Sequence, residues 1–221
     1  MKQIINYFTG FEWILLFGMI LANYITGGLA DPIGATCSIT GVICVILIAK
    51  GKPINFFFGV INVILYIYIC WQVPLYGDVM LNALYYLPIN IFGYFIWKRN
   101  MNNGVVKAKT LAPEKRFWVV MGSFAGIAVY GTMLNTMGGA TPFLDATSTV
   151  LAIVAQFLLL NMFAEQWVLW IIINSISVLM WLIVTVTGDT TAISMVIMWT
   201  AYLINSLRGY FNWKAMVTEN K

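Results

Sequence analysis

Residues 53–71 read PINFFFGVINVILYIYICW and contain no charged side chain. A helix needs about 20 predominantly apolar residues to cross a hydrocarbon core roughly 30 Å thick, so this stretch predicts a transmembrane helix. Seven more windows of this kind occur along the chain. The eight predicted spans lie at about 11–28, 33–49, 53–71, 78–97, 117–137, 143–163, 167–186 and 190–211.

The composition supports the same reading. Hydrophobic residues make up 61% of the 221 residues and charged residues 9%, whereas soluble domains contain roughly 45–50% and about 25%. The mean hydropathy is +0.86. This apolar surface exceeds what one soluble core could bury, and lipid is the natural solvent for the excess. Because a spanning backbone must satisfy its own hydrogen bonds, the sequence predicts an all-α polytopic membrane protein.

Composition also excludes several classes of function. The chain has 0 His and 3 Cys, so it cannot form a His-based catalytic triad or a His/Cys zinc site. Cys37, Cys44 and Cys70 all lie in apolar runs, which is typical of buried thiols. No P-loop motif occurs. We therefore expect no metal, no cofactor and no enzymatic activity.

The basic residues predict the orientation. If the N-terminus lies in the cytoplasm, an eight-span topology puts every Lys and Arg on the cytoplasmic side, as the positive-inside rule requires. These residues are Lys2, Lys50, Lys52, Lys98, Arg99, Lys107, Lys109, Lys115, Arg116, Arg208, Lys214 and Lys221. The opposite side holds Asp31, Asp78, Asp145 and Asp189. Both termini are thus predicted to be cytoplasmic, and the net charge of +4 reflects membrane orientation, not nucleic-acid binding.

The chain also contains an internal repeat. Residues 93–98 read GYFIWK at the end of the fourth span, and residues 209–214 read GYFNWK at the end of the eighth. Residues 55–62 (NFFFGVIN) parallel residues 167–174 (WVLWIIIN). Both units run in the same direction, so an odd number of helices must separate them. The prediction is two parallel three-helix repeats joined by an inversion linker helix, with one extra N-terminal helix, an arrangement found in transporters.

This plan divides the chain into four parts. They are an N-terminal helix at 1–30, a first repeat at 31–99, a basic loop with the linker helix at 100–141, and a second repeat with a tail at 142–221.

The seventh span carries the strongest candidate site. Trp167, Trp170 and Asn174 have the spacing i, i+3, i+7 and therefore share one helix face. Two indoles followed by an amide would form a slot for a flat aromatic ring with a hydrogen-bonding edge. The alternative is that Trp167 belongs to the interfacial aromatic belt and that Asn174 only ties helices together.

Other buried amides are weaker candidates. Asn62 occupies the place in the first repeat that matches Asn174, whereas Asn55, Gln156 and Asn90 are selected by polarity within apolar spans. Tryptophans near span ends are read as belt residues. They are Trp13, Trp71, Trp97, Trp118 and Trp213. No carboxylate lies at mid-depth, which argues against a proton relay.

Residues 51–78 and the segment EQWVLWIIIN at 165–174 resemble the PnuC-type bacterial vitamin transporters. The resemblance implies uptake across the bacterial cytoplasmic membrane, of nicotinamide riboside most often and of thiamine, riboflavin or other nucleosides in subgroups. It further implies facilitated diffusion, with a cytoplasmic kinase that traps the product. In this family pattern, Trp167 and Trp170 would sandwich the ring and Asn174 would hydrogen-bond it.

Two other functions stay open at this point. A SWEET-type sugar carrier would share the 3+1+3 helix plan, although stacked indoles suit an aromatic ring better. A membrane enzyme or scaffold is disfavoured because no pair of nucleophile and base is visible. The sequence leaves the identity of the vitamin undecided and allows a homo-oligomer.

Overall fold

The computed structural model describes residues 8–25, 31–72, 76–102, 104–138, 142–186 and 193–219. The helices are α1 (Gly10–Ile25), α2 (Pro32–Ala49), α3 (Asn55–Gln72), α4 (Tyr76–Leu81), a π-helical turn (Asn82–Tyr86), α5 (Leu87–Arg99), α6 (Pro113–Thr136), α7 (Pro142–Leu160), α8 (Gln166–Val186) and α9 (Ile193–Glu219). A short antiparallel hairpin, β1 (Met101–Asn102) and β2 (Val105–Val106), follows α5. Apart from this hairpin and an isolated bridge between Lys109 and Phe163, the regular secondary structure in the described ranges is helical, as predicted.

Six of the helices are long and apolar enough to cross a membrane. They are α2, α3, the fourth span (Val79–Arg99), α6, α7 and α8. The other two predicted spans do not meet this criterion: α1 has 16 residues, and α9 has 27 residues but is not among the described helices that are apolar enough. Three polar residues of α9, Ser194, Asn205 and Ser206, are buried inside the protein. A multi-pass helical membrane protein is therefore supported, and the count of eight spans stays a prediction.

Six segments of chain pack in a closed ring. In order around the ring, α2 contacts α3, α3 contacts α5, α5 contacts α7, α7 contacts α8, α8 contacts α9, and α9 returns to α2. Besides α4, which leads into the π-helical turn, two described helices lie outside this ring. The first, α1, packs on α2 and α9, and the predicted linker helix α6 packs on α7. The ring encloses the space in which a solute can be held.

The predicted fourth span is not one regular helix. Its π-helical turn closes with a hydrogen bond from the Leu87 amide to the Asn82 carbonyl. Pro88 lies one residue further on and has no amide hydrogen to continue the ordinary ladder, and its ring disfavours α-helical backbone before it. The extra residue in the turn changes the direction in which Asn82 points.

The long basic loop has a defined structure. We call residues 104–112 the basic-end segment, and we call the end of the bundle that holds it the basic end. The Val106 amide donates to the Gly51 carbonyl at 3.0 Å, and the Lys109 amide donates to the Met162 carbonyl at 3.0 Å. Val106, Ala108 and Leu111 are buried. The segment thus ties the α2–α3 turn to the α7–α8 turn.

Two of the five predicted belt tryptophans are in the core. Trp71 and Trp118 are exposed, as a belt requires, but Trp97 and Trp213 are fully buried. The reason is their indole N–H groups, which donate to carbonyls of other helices: Trp97 to Leu159 at 3.1 Å and Trp213 to Ile48 at 3.0 Å. A Trp near the end of a span can therefore be a packing residue.

Candidate functional site

A cavity of about 210 Å³ lies inside the helix ring. Every ring helix contributes to its lining, and so does the π-helical turn. At the basic end the cavity is bounded by a buried cluster that includes Phe56, Trp97, Trp167 and Trp213. At the opposite end a second cluster includes Tyr66, Trp181 and Met198. The cavity is therefore central, as expected for the solute site of a carrier.

The predicted face of α8 lines this cavity. Trp167, Trp170 and Asn174 are all lining residues. The Asn174 side chain is 3% exposed, and its amide nitrogen donates to the Ser206 hydroxyl at 2.6 Å. Among the residues that the structure describes, none forms a hydrogen bond with its carbonyl oxygen. A buried acceptor without a partner is costly, so Asn174 offers a strong position for a ligand donor.

Trp167 and Trp170 have different environments. Trp167 is 2% exposed, covers Gly209 so closely that a Cβ there would contact its ring at 2.5 Å, and meets the Trp213 ring edge-on at 6.1 Å. Trp170 is only partly buried. Trp167 therefore forms the floor of the cavity, and Trp170 is the more accessible of the two indole surfaces.

Asn62 lines the cavity from α3, and it is held by α2. Its amide nitrogen donates to the Cys37 carbonyl at 2.8 Å. Gly41 permits this approach, since a Cβ there would overlap both the Asn62 amide and the Tyr202 hydroxyl.

The sequence pattern aligns Asn62 with Asn174, but the packing of the two helices gives an alignment that differs by one residue. Phe56 covers Gly93 on α5 as Trp167 covers Gly209 on α9. Counting along α3 and α8 from Phe56 and Trp167 makes Val63, not Asn62, the counterpart of Asn174. Asn62 therefore faces the cavity through its own contacts and not by symmetry.

Three further amides were predicted, and two of them reach the cavity. Asn90 and Gln156 are lining residues. The Asn90 amide donates to the Tyr86 carbonyl at 2.8 Å, and its oxygen fills the space beside Gly59. Asn55 does not line the cavity. It is fully buried at the first position of α3, where its amide donates to the Lys52 carbonyl at 2.7 Å.

The sequence alone missed several lining residues. Tyr202 and Ser206 lie on the polar face of α9, Tyr66 on α3, and Asn82 on the π-helical turn. The polar residues within the apolar span of α9 were the only sequence signal for these positions. That signal is weak, because isolated Tyr and Ser residues are common in apolar spans. Tyr66 lies between Trp181 and Trp199, with ring centroids 6.5 Å from each.

The cavity carries no formal charge. Among the residues that the structure describes, no Asp, Glu, Lys or Arg lines it. The buried carboxylate of Glu12 is not one of the lining groups. It forms an ion pair of 2.8 Å with Lys50 where α1 meets α2. The site therefore recognises its ligand with aromatic faces, amides and hydroxyls.

The family model described as Nicotinamide mononucleotide transporter matches residues 31–215. The chain belongs to this family. Two relatives named Nicotinamide riboside transporter PnuC are similar to it. The protein from Neisseria mucosa is 35% identical over 99% of this chain and 86% of its own length, and that from Haemophilus influenzae is 36% identical over 81% and 77%.

Comparison with a solved structure also indicates a PnuC-type protein. The chain is similar to the crystal structure of the vitamin B3 transporter PnuC, with a TM-score of 0.84 and 33% identity over 97% of this chain and 94% of that one. The prediction of a PnuC-type membrane transporter, and not an enzyme, is confirmed.

Proposed function

We propose that this chain takes up nicotinamide riboside across the bacterial cytoplasmic membrane by facilitated diffusion. The observation that carries the proposal is the uncharged cavity in which Trp170 and the unpartnered Asn174 oxygen lie on one face of α8. Relatives that match most of the chain bear the name of a nicotinamide riboside transporter.

The chemistry of the ligand fits these two residues. Nicotinamide riboside carries a pyridinium ring, a cationic aromatic surface that an indole face attracts through stacking and cation–π interaction. Its carboxamide N–H can donate to the Asn174 oxygen. Gln156 and Asn90 supply further amides in the same cavity. An aromatic cation is thus bound without a carboxylate, whose desolvation would be expensive in a membrane.

The same cavity disfavours the phosphorylated substrate that the family description names. A phosphate group carries about −1.5 to −2 charges near neutral pH, and buried charges need a partner. Since no Lys or Arg lines the described part of the cavity, the riboside is favoured over the mononucleotide.

The absence of carboxylates from the described part of the cavity lining also supports a passive mechanism. Proton-coupled carriers use ionisable groups within the membrane. Without such coupling, net uptake needs a sink, and a cytoplasmic kinase that adds a phosphate would provide one. The phosphorylated product could not re-enter a site that disfavours phosphate.

We further infer the repeat plan described above, with its four parts and cytoplasmic termini. Two observations support it: Trp97 and Trp213 make reciprocal hydrogen bonds to Leu159 and Ile48, and α1 and α6 each lie outside the ring. Rocking of the two repeats about the central cavity would give alternating access.

Uptake into proteoliposomes tests the proposal. Labelled nicotinamide riboside, nicotinamide mononucleotide, thiamine, riboflavin and glucose are compared at equal concentration with no ion gradient. Saturable equilibration of nicotinamide riboside alone is the expected result. Thiamine or riboflavin uptake would move the chain to another vitamin, and glucose uptake would favour the SWEET-type alternative.

A further inference from the structure

We propose that two buried amides, Asn55 and Gln166, destabilise the closed basic end and thereby favour its opening during transport. This inference rests on the proposed transport function and extends it to the conformational change of the carrier. Neither residue lines the cavity. Both lie at the basic end, at the first position of α3 and of α8 respectively.

The two amides occupy equivalent positions in the packing. Each directly precedes an aromatic residue that covers a glycine on another helix: Asn55 precedes Phe56, and Gln166 precedes Trp167. The alignment of α3 with α8 that the packing gives therefore pairs the two amides with each other. A polar residue at the same buried place in both halves of the chain points to a shared role.

Both side chains are fully buried and lack hydrogen bonds that their polar atoms require. Asn55 and Gln166 are each 0% exposed. Among the described residues, none bonds to either polar atom of the Gln166 side chain or to the Asn55 side-chain oxygen. The ring N–H of the neighbouring Trp167 is also buried without a described partner. Such groups are uncommon in folded proteins, because each one costs free energy.

The basic-end segment covers the turns that lead into both amides. It bonds to Gly51, four residues before Asn55, through the Val106 amide. It also bonds to Ala164, two residues before Gln166, whose amide donates to the Lys109 carbonyl at 2.9 Å. Separation of the segment from these turns would admit water to both helix starts, and water would satisfy the amides. Their cost therefore belongs to the closed state alone.

This cost opposes the apolar cluster that closes the basic end. Phe56, Trp97 and Trp213 are buried there, and their burial favours the closed state. A carrier has to populate both its closed and its open state, and groups that interact differently in the two states shift the balance between them. The two amides thus keep the closed state from becoming too stable to open.

Gln166→Met tests the proposal. Methionine has nearly the shape of glutamine, so the change removes both unpartnered polar atoms and keeps the packing. We expect the Tm in detergent to rise by about 2–4 °C. Uptake of nicotinamide riboside into proteoliposomes should slow about fivefold to tenfold, because the closed state is favoured. The affinity for the riboside should not weaken, since Gln166 does not line the cavity.

A cysteine in the basic-end segment reports the opening directly. Ala108 is buried in this segment, and the three native cysteines are buried as well. Maleimide labelling of Ala108→Cys in detergent therefore requires the basic end to open, and Gln166→Met should slow it about fivefold to tenfold. Gln72→Met makes the same chemical change at an exposed position at the other end of α3. This control should leave Tm, uptake and labelling unchanged.

Asn55→Leu is an independent second variant. It removes the unpartnered oxygen, and the Lys52 carbonyl keeps the bond from the Asn55 backbone amide at 3.1 Å. Labelling of Ala108→Cys should slow here too, but by a smaller factor, because the side-chain bond to Lys52 is lost with the oxygen.

Two results would overturn the proposal. One is a lower or unchanged Tm in Gln166→Met, which would mean that the amide is satisfied in the closed state. The other is unchanged labelling of Ala108→Cys in both variants. Failure of the proposed function has a different appearance: the wild type itself would not take up nicotinamide riboside, whereas the Tm and labelling measurements involve no substrate.

Discussion

The indole rings of Trp97 and Trp213 meet with centroids 5.8 Å apart and planes inclined at 47°. Each ring comes from the basic end of a different helix, α5 or α9, and each donates its N–H to a carbonyl on another helix of the ring. The pair therefore joins α5, α9, α7 and α2 at one point. We expect an opening of the cavity towards the basic end to separate these contacts.

Replacing either indole should loosen this junction. Trp97→Phe and Trp213→Phe keep an aromatic ring but leave a buried carbonyl, of Leu159 or Ile48, without its donor. We expect each change to cost about 1–3 kcal/mol, seen as a lower Tm in detergent. Trp118→Phe, on a lipid-exposed face of α6, is the control. Equal Tm values for the wild type and both core variants would contradict the role of the N–H groups.

Gly209 should tolerate no side chain. A Cβ at this position would contact the Trp167 ring at 2.5 Å, so Gly209→Ala must displace the floor of the cavity. We expect a stability loss of about 1–3 kcal/mol together with weaker substrate binding. The matched change Gly122→Ala on α6 meets no atom within 4 Å and should leave both properties intact. Full binding by Gly209→Ala would show that the Trp167 position is not critical.

The basic-end segment should depend on Glu165. This carboxylate accepts from the Leu111 amide at 3.0 Å and from the Arg116 guanidinium at 2.8 Å. Exposed pairs contribute about 0–1 kcal/mol, but the contact to a buried backbone amide adds to this. Glu165→Gln should therefore raise the rate of trypsin cleavage at Lys107 and Lys109 about fivefold, the factor for roughly 1 kcal/mol.

The control for this experiment is Glu114→Gln, at an exposed site in the first turn of α6. It removes the same charge without touching the segment. Equal cleavage of the two variants would mean that Glu165 does not hold the segment in place.

The sequence predicted the helices better than their faces. The windows for α2, α7 and α8 agree with the observed bounds to within a few residues, because uninterrupted apolar length is itself the signal. Which face turns inward is harder to predict, since lipid and protein neighbours are both apolar. Trp97 and Trp118 are the same residue type near span ends, yet one is fully buried and the other is 71% exposed.

In the candidate site, too, hydropathy predicted some positions of side chains and not others. Trp170 and Asn174 could be placed together because their spacing on one helix is fixed by the 3.6-residue period. The position of Asn82 depends on a π-helical turn, and that of Asn55 on the point where α3 begins. Both are set by local backbone details that hydropathy does not report.

The orientation of the chain can be tested on one helix. Lys115 and Met137 are exposed at opposite ends of α6, and the three native cysteines are buried. In intact cells a membrane-impermeant maleimide should label Met137→Cys directly, but Lys115→Cys only after permeabilisation. The reverse pattern would invert the topology and place the termini outside.

The sharpest prediction concerns Trp170 and Asn174. A ring stacked on an indole gains roughly 1–3 kcal/mol, by analogy with bases stacked on aromatic side chains. Trp170→Ala should therefore weaken nicotinamide riboside binding by about tenfold to a hundredfold, and Trp170→Phe should keep much of the affinity. Asn174→Leu should do similar damage, since it strands the polar edge of the ligand in a dry site at a cost of about 1–3 kcal/mol.

A purely structural role for these two residues makes a different prediction. In that case Trp170→Ala and Asn174→Leu lower the Tm or the yield, while the protein that still folds binds normally. Calorimetry on purified variants matched for folded fraction separates the two outcomes, with Trp118→Ala as a control for loss of an indole that faces lipid. Unchanged affinity in both variants would move the site away from α8, because no other helix face in the described cavity combines an accessible indole with an unpartnered amide oxygen.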